Sequence, residues 1–162
     1  MRNCLRISML LFFLSFGFVS YAAQDNAAGL KAAPGFQLKD LNGRTVSLSD
    51  YKDKKAVILF FWTTWCPYCR EELRLLNREY VELAKDSIEV LAINAGEPKY
   101  KVGNYLQARN LSLEVLLDTE GFVAQAYDIM GVPTYFMVNK SGEIVSTANR
   151  FPKEAVKALA AK

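Results

Sequence analysis

Residues 56–73 read AVILFFWTTWCPYCREEL, and this stretch decides the fold. Positions 56–62 form a continuous apolar run. Such a run suits a strand buried on both faces in the middle of a sheet. A short turn then leads to a C-x-x-C pair, Cys66 and Cys69, and to an amphipathic segment. Leu73, Leu76, Tyr80 and Leu83 recur at steps of three and four, which predicts a helix over residues 67–86 with one apolar face. Pro67 falls at the first helical position, where its fixed φ fits and its missing N–H costs nothing. Cys66 is then the N-cap, its sulfur facing the free N–H groups of Tyr68 and Cys69 and the positive end of the helix dipole.

A thiolate is stabilised at such a point, and thiolate is the nucleophilic form. At a free pKa of ~8.5 only about 3% of a thiol is ionised at pH 7, whereas a pKa near ~7 makes that about half. Cys69, one helical turn on and the more buried of the two, can close a disulfide onto Cys66. The expected chemistry is attack by Cys66 on a partner's disulfide and resolution of the mixed disulfide by Cys69. A purely structural bridge competes with this. Closing a loop of about four residues is worth roughly 2 kcal/mol, a poor staple for a chain of this size. Zinc needs four ligands, usually Cys or His. The chain has three Cys, one of them Cys4 near the start, and no His. Histidine's absence also excludes Ser-His-Asp and Cys-His catalysis and a His pH switch.

Working outward, residues 36–38 and 45–48 flank an Asn42-Gly43 turn and predict a hairpin. A strand is expected at 88–93, a helix at 98–109 with Val102, Tyr105 and Leu106 facing in, a strand at 113–117 and a short helix at 122–127. Residues 134–138 and 143–147 form a second hairpin, and 151–161 a closing helix. Strands alternate with helices and a hairpin comes late, so the expected architecture is an α/β sandwich with a mixed central sheet.

The N-terminus reads as an address. A basic start, MRNCLR, precedes an apolar run at 7–19, and Ser20-Tyr21-Ala22 offers small residues at a cleavage site. This is the plan of a secretory signal peptide over residues 1–22, with the run short for a membrane span of ~20 residues. Retention of 7–19 as an anchor is the alternative. Residues 23–33 read as a flexible leader and 34–162 as one domain. Residues 1–22 carry Arg2 and Arg6 and no acid, so without them the 20 basic and 17 acidic side chains nearly balance. Nucleic acid is therefore not an expected partner. The exported compartment, periplasmic or extracytoplasmic, permits a redox-active disulfide.

Three further features surround the pair. Gly131-Val132-Pro133-Thr134 precedes an apolar strand, and a proline opening a strand can carry a cis peptide bond. Beside Cys66 it leaves the Val132 backbone free to pair with a substrate peptide. Glu72 is three residues beyond Cys69, on the same helical face, placed to carry a proton to or from Cys69. Trp65 is the expected exposed tryptophan and Trp62 the buried one. Trp65, Pro67, Tyr68 and Val132 are thus the expected substrate-binding residues.

On these motifs the chain resembles the thioredoxin superfamily, and within it the TlpA/ResA-type exported thiol–disulfide oxidoreductases. The resemblance covers about residues 33–160. It rests on APGFQLKDLNGRTVSLSDYKDK (33–54), FFWTTWCPYCREEL (60–73), AINAGEPKYKVGNYL (92–106) and GVPTYFMVNKSGEIV (131–145). It implies a thioredoxin-like three-layer sandwich with an added N-terminal hairpin and an inserted helix and strand. It implies Cys66 as nucleophile, Cys69 as resolving thiol, Pro133 as the cis-proline and Glu72 as the acidic residue near them. It also implies reduction of cysteine-containing exported clients, apocytochrome c among them, with electrons from a membrane donor. No cofactor beyond the Cys66–Cys69 disulfide and no metal is expected, and the chain is expected to act as a monomer. Two departures stand out. Pro67-Tyr68 is the dipeptide glutaredoxins favour, and Phe60 occupies the place of an Asp in thioredoxins proper.

Two other functions compete. The N-terminal segment is also similar to that of peroxiredoxins, whose peroxidatic Cys is preceded by Pro at seven residues and Thr at three. Thr63 fits and Leu59 does not. The other is a binding module that holds cysteine-containing chains without exchange.

Overall fold

A computed structural model describes residues 30–109, 111 and 113–160. The signal segment expected at 1–22 and most of the leader lie outside the described residues.

The apolar run is strand β4 (Ala56–Trp62), buried along its whole length. It pairs in parallel with β5 (Ile88–Ala95) on one side and antiparallel with β7 (Thr134–Val138) on the other. Both edges and both faces are covered, which is why seven apolar residues stand in succession. Ile58, Phe60 and Trp62 face a layer containing helices α1 (Pro67–Lys85), α2 (Lys99–Gln107) and α4 (Lys153–Ala160). Val57, Leu59 and Phe61 face the opposite core, closed by helix α3 (Phe122–Ala126) and a 3₁₀ turn at Leu48–Tyr51. The result is the expected three-layer α/β sandwich.

The remaining strands extend the sheet in both directions. Next to β5 lies β6 (Glu114–Asp118), parallel to it, then β2 (Gln37–Asp40) and β3 (Thr45–Ser47), both antiparallel. Beyond β7 lie β8 (Glu143–Ala148) and β1 (Lys31–Ala32). The eight strands run β1-β8-β7-β4-β5-β6-β2-β3. The N-terminal hairpin β2–β3 is thus an addition to one edge, and α2–β6 is the insertion that connects it to the centre. The pairing of β1 with β8 means the sheet begins inside the stretch read as leader.

Local chemistry accounts for the turns. The Asp40 carboxylate accepts the N–H groups of Asn42 and Arg44, both at 2.8 Å, and Gly43 supplies a φ of 85°. At the second hairpin the Asn139 side chain accepts the Glu143 N–H at 2.9 Å, and Gly142 also has a φ of 85°. Most element boundaries move by one or two residues from their expected places, and two of the shifts have a visible cause. Strand β5 continues to Ala95 because Asn94 and Ala95 keep pairing with Leu117 and Asp118. Helix α4 starts at Lys153, since the Phe151 N–H is taken by Glu72 and the Pro152 carbonyl accepts the first helical bond, from Val156.

Phe60 couples this core to the site. It is fully buried and lies against Tyr135 with ring centroids 4.7 Å apart. Phe60→Ala is expected to lower stability by about 3–5 kcal/mol, read as a fall in the urea midpoint. A loss under about 1 kcal/mol would mean that the central strand is not packed as described.

Candidate redox site

Strand β4 ends at Trp62, and after Thr63, Thr64 and Trp65 the chain reaches Cys66 and enters α1 at Pro67. That turn places Cys66 as N-cap in extended conformation, φ −78° and ψ 112°. Its sulfur accepts the Cys69 N–H at 3.2 Å. Of the two N–H groups expected to face it, the structure gives it that of Cys69. Cys66 and Cys69 are joined as a disulfide with Cα atoms 5.3 Å apart. Cys69 is completely buried and Cys66 is 3% exposed. The order is the expected one, but the sulfur of Cys66 is more enclosed than a free surface thiol. What is open lies around it: Trp65 is 64% and Tyr68 69% exposed, Pro67 is exposed, and Trp62 is wholly buried.

The Val132–Pro133 peptide bond is cis. The half-buried Val132 presents its carbonyl oxygen 3.6 Å from Cys66 Sγ. Pro133 is held in turn, its carbonyl accepting from Asn149 Nδ2 at 3.0 Å. Residues 66 positions apart in sequence therefore meet at the sulfur because β7 lies directly beside β4.

Glu72 is half-buried one turn along α1 from Cys69. Its Oε2 accepts the Tyr135 hydroxyl at 2.7 Å and the Phe151 N–H at 3.1 Å. Burial first, then the hydrogen bond and charge of Glu72, push the Tyr135 phenol far above its ordinary range, so it remains a donor. Glu72 also borders a cleft of ≈ 380 Å³ lined by Tyr68, Glu71, Pro133, Asn149 and Arg150. All eight residues singled out in the sequence thus fall at or beside one junction, the N-terminus of α1 and the start of β7.

Three polar residues of this region escape sequence reasoning. Tyr135 reads as one more strand residue, and Asn149 as loop. Glu97, in the β5–α2 turn, reads as an acid before a helix; it is buried and hydrogen-bonded to Thr64, two residues ahead of Cys66. The peroxidase pattern finds no support at its missing position: Leu59 is fully buried in mid-strand, paired with Leu91 and Phe136.

Comparison with known proteins agrees with this geometry. The AhpC/TSA family model matches residues 30–147. The thiol-disulfide oxidoreductase ResA of Bacillus subtilis is 36% identical over 125 residues, 77% of this chain and 69% of that protein. ResA of Geobacillus thermodenitrificans is 34% identical, over 85% of this chain and 81% of its own. Among solved structures, StoA from Bacillus subtilis superposes with a TM-score of 0.67 at 29% identity, covering 78% of this chain and 96% of that one. A thiol:disulfide interchange protein of the thioredoxin family from Chlorobium tepidum superposes with a TM-score of 0.71 at 25% identity, covering 81% and 97%. By family model and by relatives alike, the chain belongs to the AhpC/TSA family, and within it to the thiol–disulfide oxidoreductases of the ResA kind.

Proposed function

We propose that the protein is exported and that its Cys66–Cys69 pair reduces disulfides in other exported proteins. The observation that carries this reading is the position of one sulfur. Cys66 Sγ caps α1, accepts a backbone N–H, and lies beside the Val132 carbonyl, with Trp65 and Tyr68 exposed at its rim.

The Cys66 thiolate attacks one sulfur of the client's disulfide, forming a mixed disulfide and releasing the other client sulfur as thiolate. The Cys69 thiolate then attacks Cys66 Sγ, closing the Cys66–Cys69 bond and releasing the second client thiol. Two electrons pass to the client. Glu72, on the Cys69 face of α1, takes the Cys69 proton as that thiol becomes a nucleophile. Val132, preceding the cis-proline, offers backbone to an extended client segment, while Trp65, Pro67 and Tyr68 supply apolar contact. The resting disulfide must be reduced again, which calls for a membrane electron donor. Apocytochrome c, whose haem-attaching cysteines must be kept as thiols, is one fitting client.

Export rests on the basic and apolar pattern of residues 1–22. Among the described residues, no helix is long and apolar enough to cross a membrane.

The test is a Cys69→Ser trap in the exported compartment. It should hold clients as mixed disulfides through Cys66, and Cys66→Ser should hold none; recovery of no trapped partner in oxidising medium would count against client reduction. Equilibrated with glutathione, the pair should show a potential nearer to about −270 mV, as in thioredoxin, than to about −120 mV, as in a strong oxidant. A value at the upper end would reverse the direction of electron flow. For the carboxylate, Glu72→Gln keeps an oxygen for both Tyr135 and Phe151. It should leave stability within about 0.5 kcal/mol and slow disulfide exchange by roughly tenfold or more. Unchanged exchange would remove Glu72 from proton transfer.

A further inference from the structure

Glu97 is 4% exposed, in the turn between β5 and α2. Burying a carboxylate costs several kcal/mol unless it is fully hydrogen-bonded. Here four donors converge on it. Oε2 accepts the Thr64 N–H at 2.6 Å and Asn94 Nδ2 at 2.8 Å; Oε1 accepts the Thr64 hydroxyl at 2.7 Å and Lys101 Nζ at 2.7 Å. The desolvation that would raise its pKa is outweighed by the bonds from Lys101, Asn94 and Thr64, which hold the group below the usual carboxylate range. It is therefore an anion at neutral pH.

We propose that Glu97 is a positioning residue for Cys66, and that the turn opening the α2–β6 insertion serves the redox site by supplying this clamp. Both donors of Thr64, its N–H and its hydroxyl, are bound by one buried carboxylate. Thr64 is two residues before Cys66, so the point where the chain leaves β4 and the point where sulfur meets helix are fixed to each other within about 7 Å of backbone. The cap bond weakens steeply with angle and distance. Freeing Thr64 loosens that bond and with it the stabilisation of the thiolate. A carboxylate near a thiolate opposes ionisation by its charge, but the Lys101 ammonium on Oε1 offsets that field. What remains is the tether.

Two variants separate tether from charge. In Glu97→Gln an amide oxygen still accepts from the Thr64 N–H and Asn94, the amide N–H₂ donates to the Thr64 hydroxyl, and only Lys101 is released. Glu97→Ala removes charge and tether together. The readout is the pH profile of alkylation at Cys66 in the reduced full chain, resolved site by site by mass spectrometry, with thermal melts beside it. Glu97→Gln should alkylate at least half as fast as wild type at pH 7. Glu97→Ala should be roughly threefold to tenfold slower than Glu97→Gln, its profile displaced upward by about half a unit to one unit. Should Glu97→Ala not fold, Thr64→Val, which lacks only the hydroxyl bond, should move the profile the same way by less. Superimposed profiles for Glu97→Ala and Glu97→Gln, or for Thr64→Val and wild type in the second case, would overturn the clamp. The proposal rests on Cys66 being the attacking sulfur. A wild-type Cys66 no faster than a free cysteine removes that reading and the clamp with it, whereas a fast wild type with superimposed variants removes the clamp alone.

Discussion

One hydrogen bond sets the character of this molecule: the Cys69 N–H donated to Cys66 Sγ at 3.2 Å. An N-cap bond of this kind is worth about 1 kcal/mol to a helix. Its consequence for chemistry is larger, because the acceptor is a sulfur that carries a full charge when reduced. The bond and the dipole of the 19-residue helix α1 both favour that charge. They also tie ionisation to redox poise. Whatever stabilises the thiolate stabilises the reduced pair, and so makes the disulfide more oxidising. A modest lowering of the thiol pKa suits a reductant, and a deep one suits an oxidant. The neutral dipeptide Pro67-Tyr68 between the cysteines adds no charge of its own.

The rest of the fold holds that sulfur in place from three directions. Strand β4, locked between β5 and β7, delivers the chain to the turn. Strand β7 brings Val132 and Pro133 alongside, and its Tyr135 meets Glu72 from α1. Glu72 in turn takes the Phe151 N–H, so the start of α4 is secured to the same carboxylate. The β5–α2 turn reaches in from the far side through Glu97. A site assembled from so many elements has its backbone held from several sides, with exposed side chains and a cleft at its rim.

Much of this was legible in the sequence because the relevant signals are local. An apolar run of seven, a proline at a helix start and two cysteines three apart each narrow the local structure to very few readings. The pairing of β4 with β7, and so the meeting of Pro133 with Cys66, was legible only through resemblance, since periodicity does not tell which strands are neighbours. Glu97, Tyr135 and Asn149 were not legible at all. Their roles depend on partners far away in the chain, and as isolated residues each has an ordinary reading. The enclosure of Cys66 was missed for a similar reason: Val132, which helps cover it, arrives from the other half of the sheet.

Exchange at this site depends first on the ionisation of Cys66. Ultraviolet thiolate absorbance of the reduced protein, followed against pH, measures it directly. The capped geometry predicts a first midpoint near pH ~7, well below the ~8.5 of a free cysteine. A single transition at ~8.5 or above, with the helix intact, would mean that α1 does not stabilise the sulfur it carries.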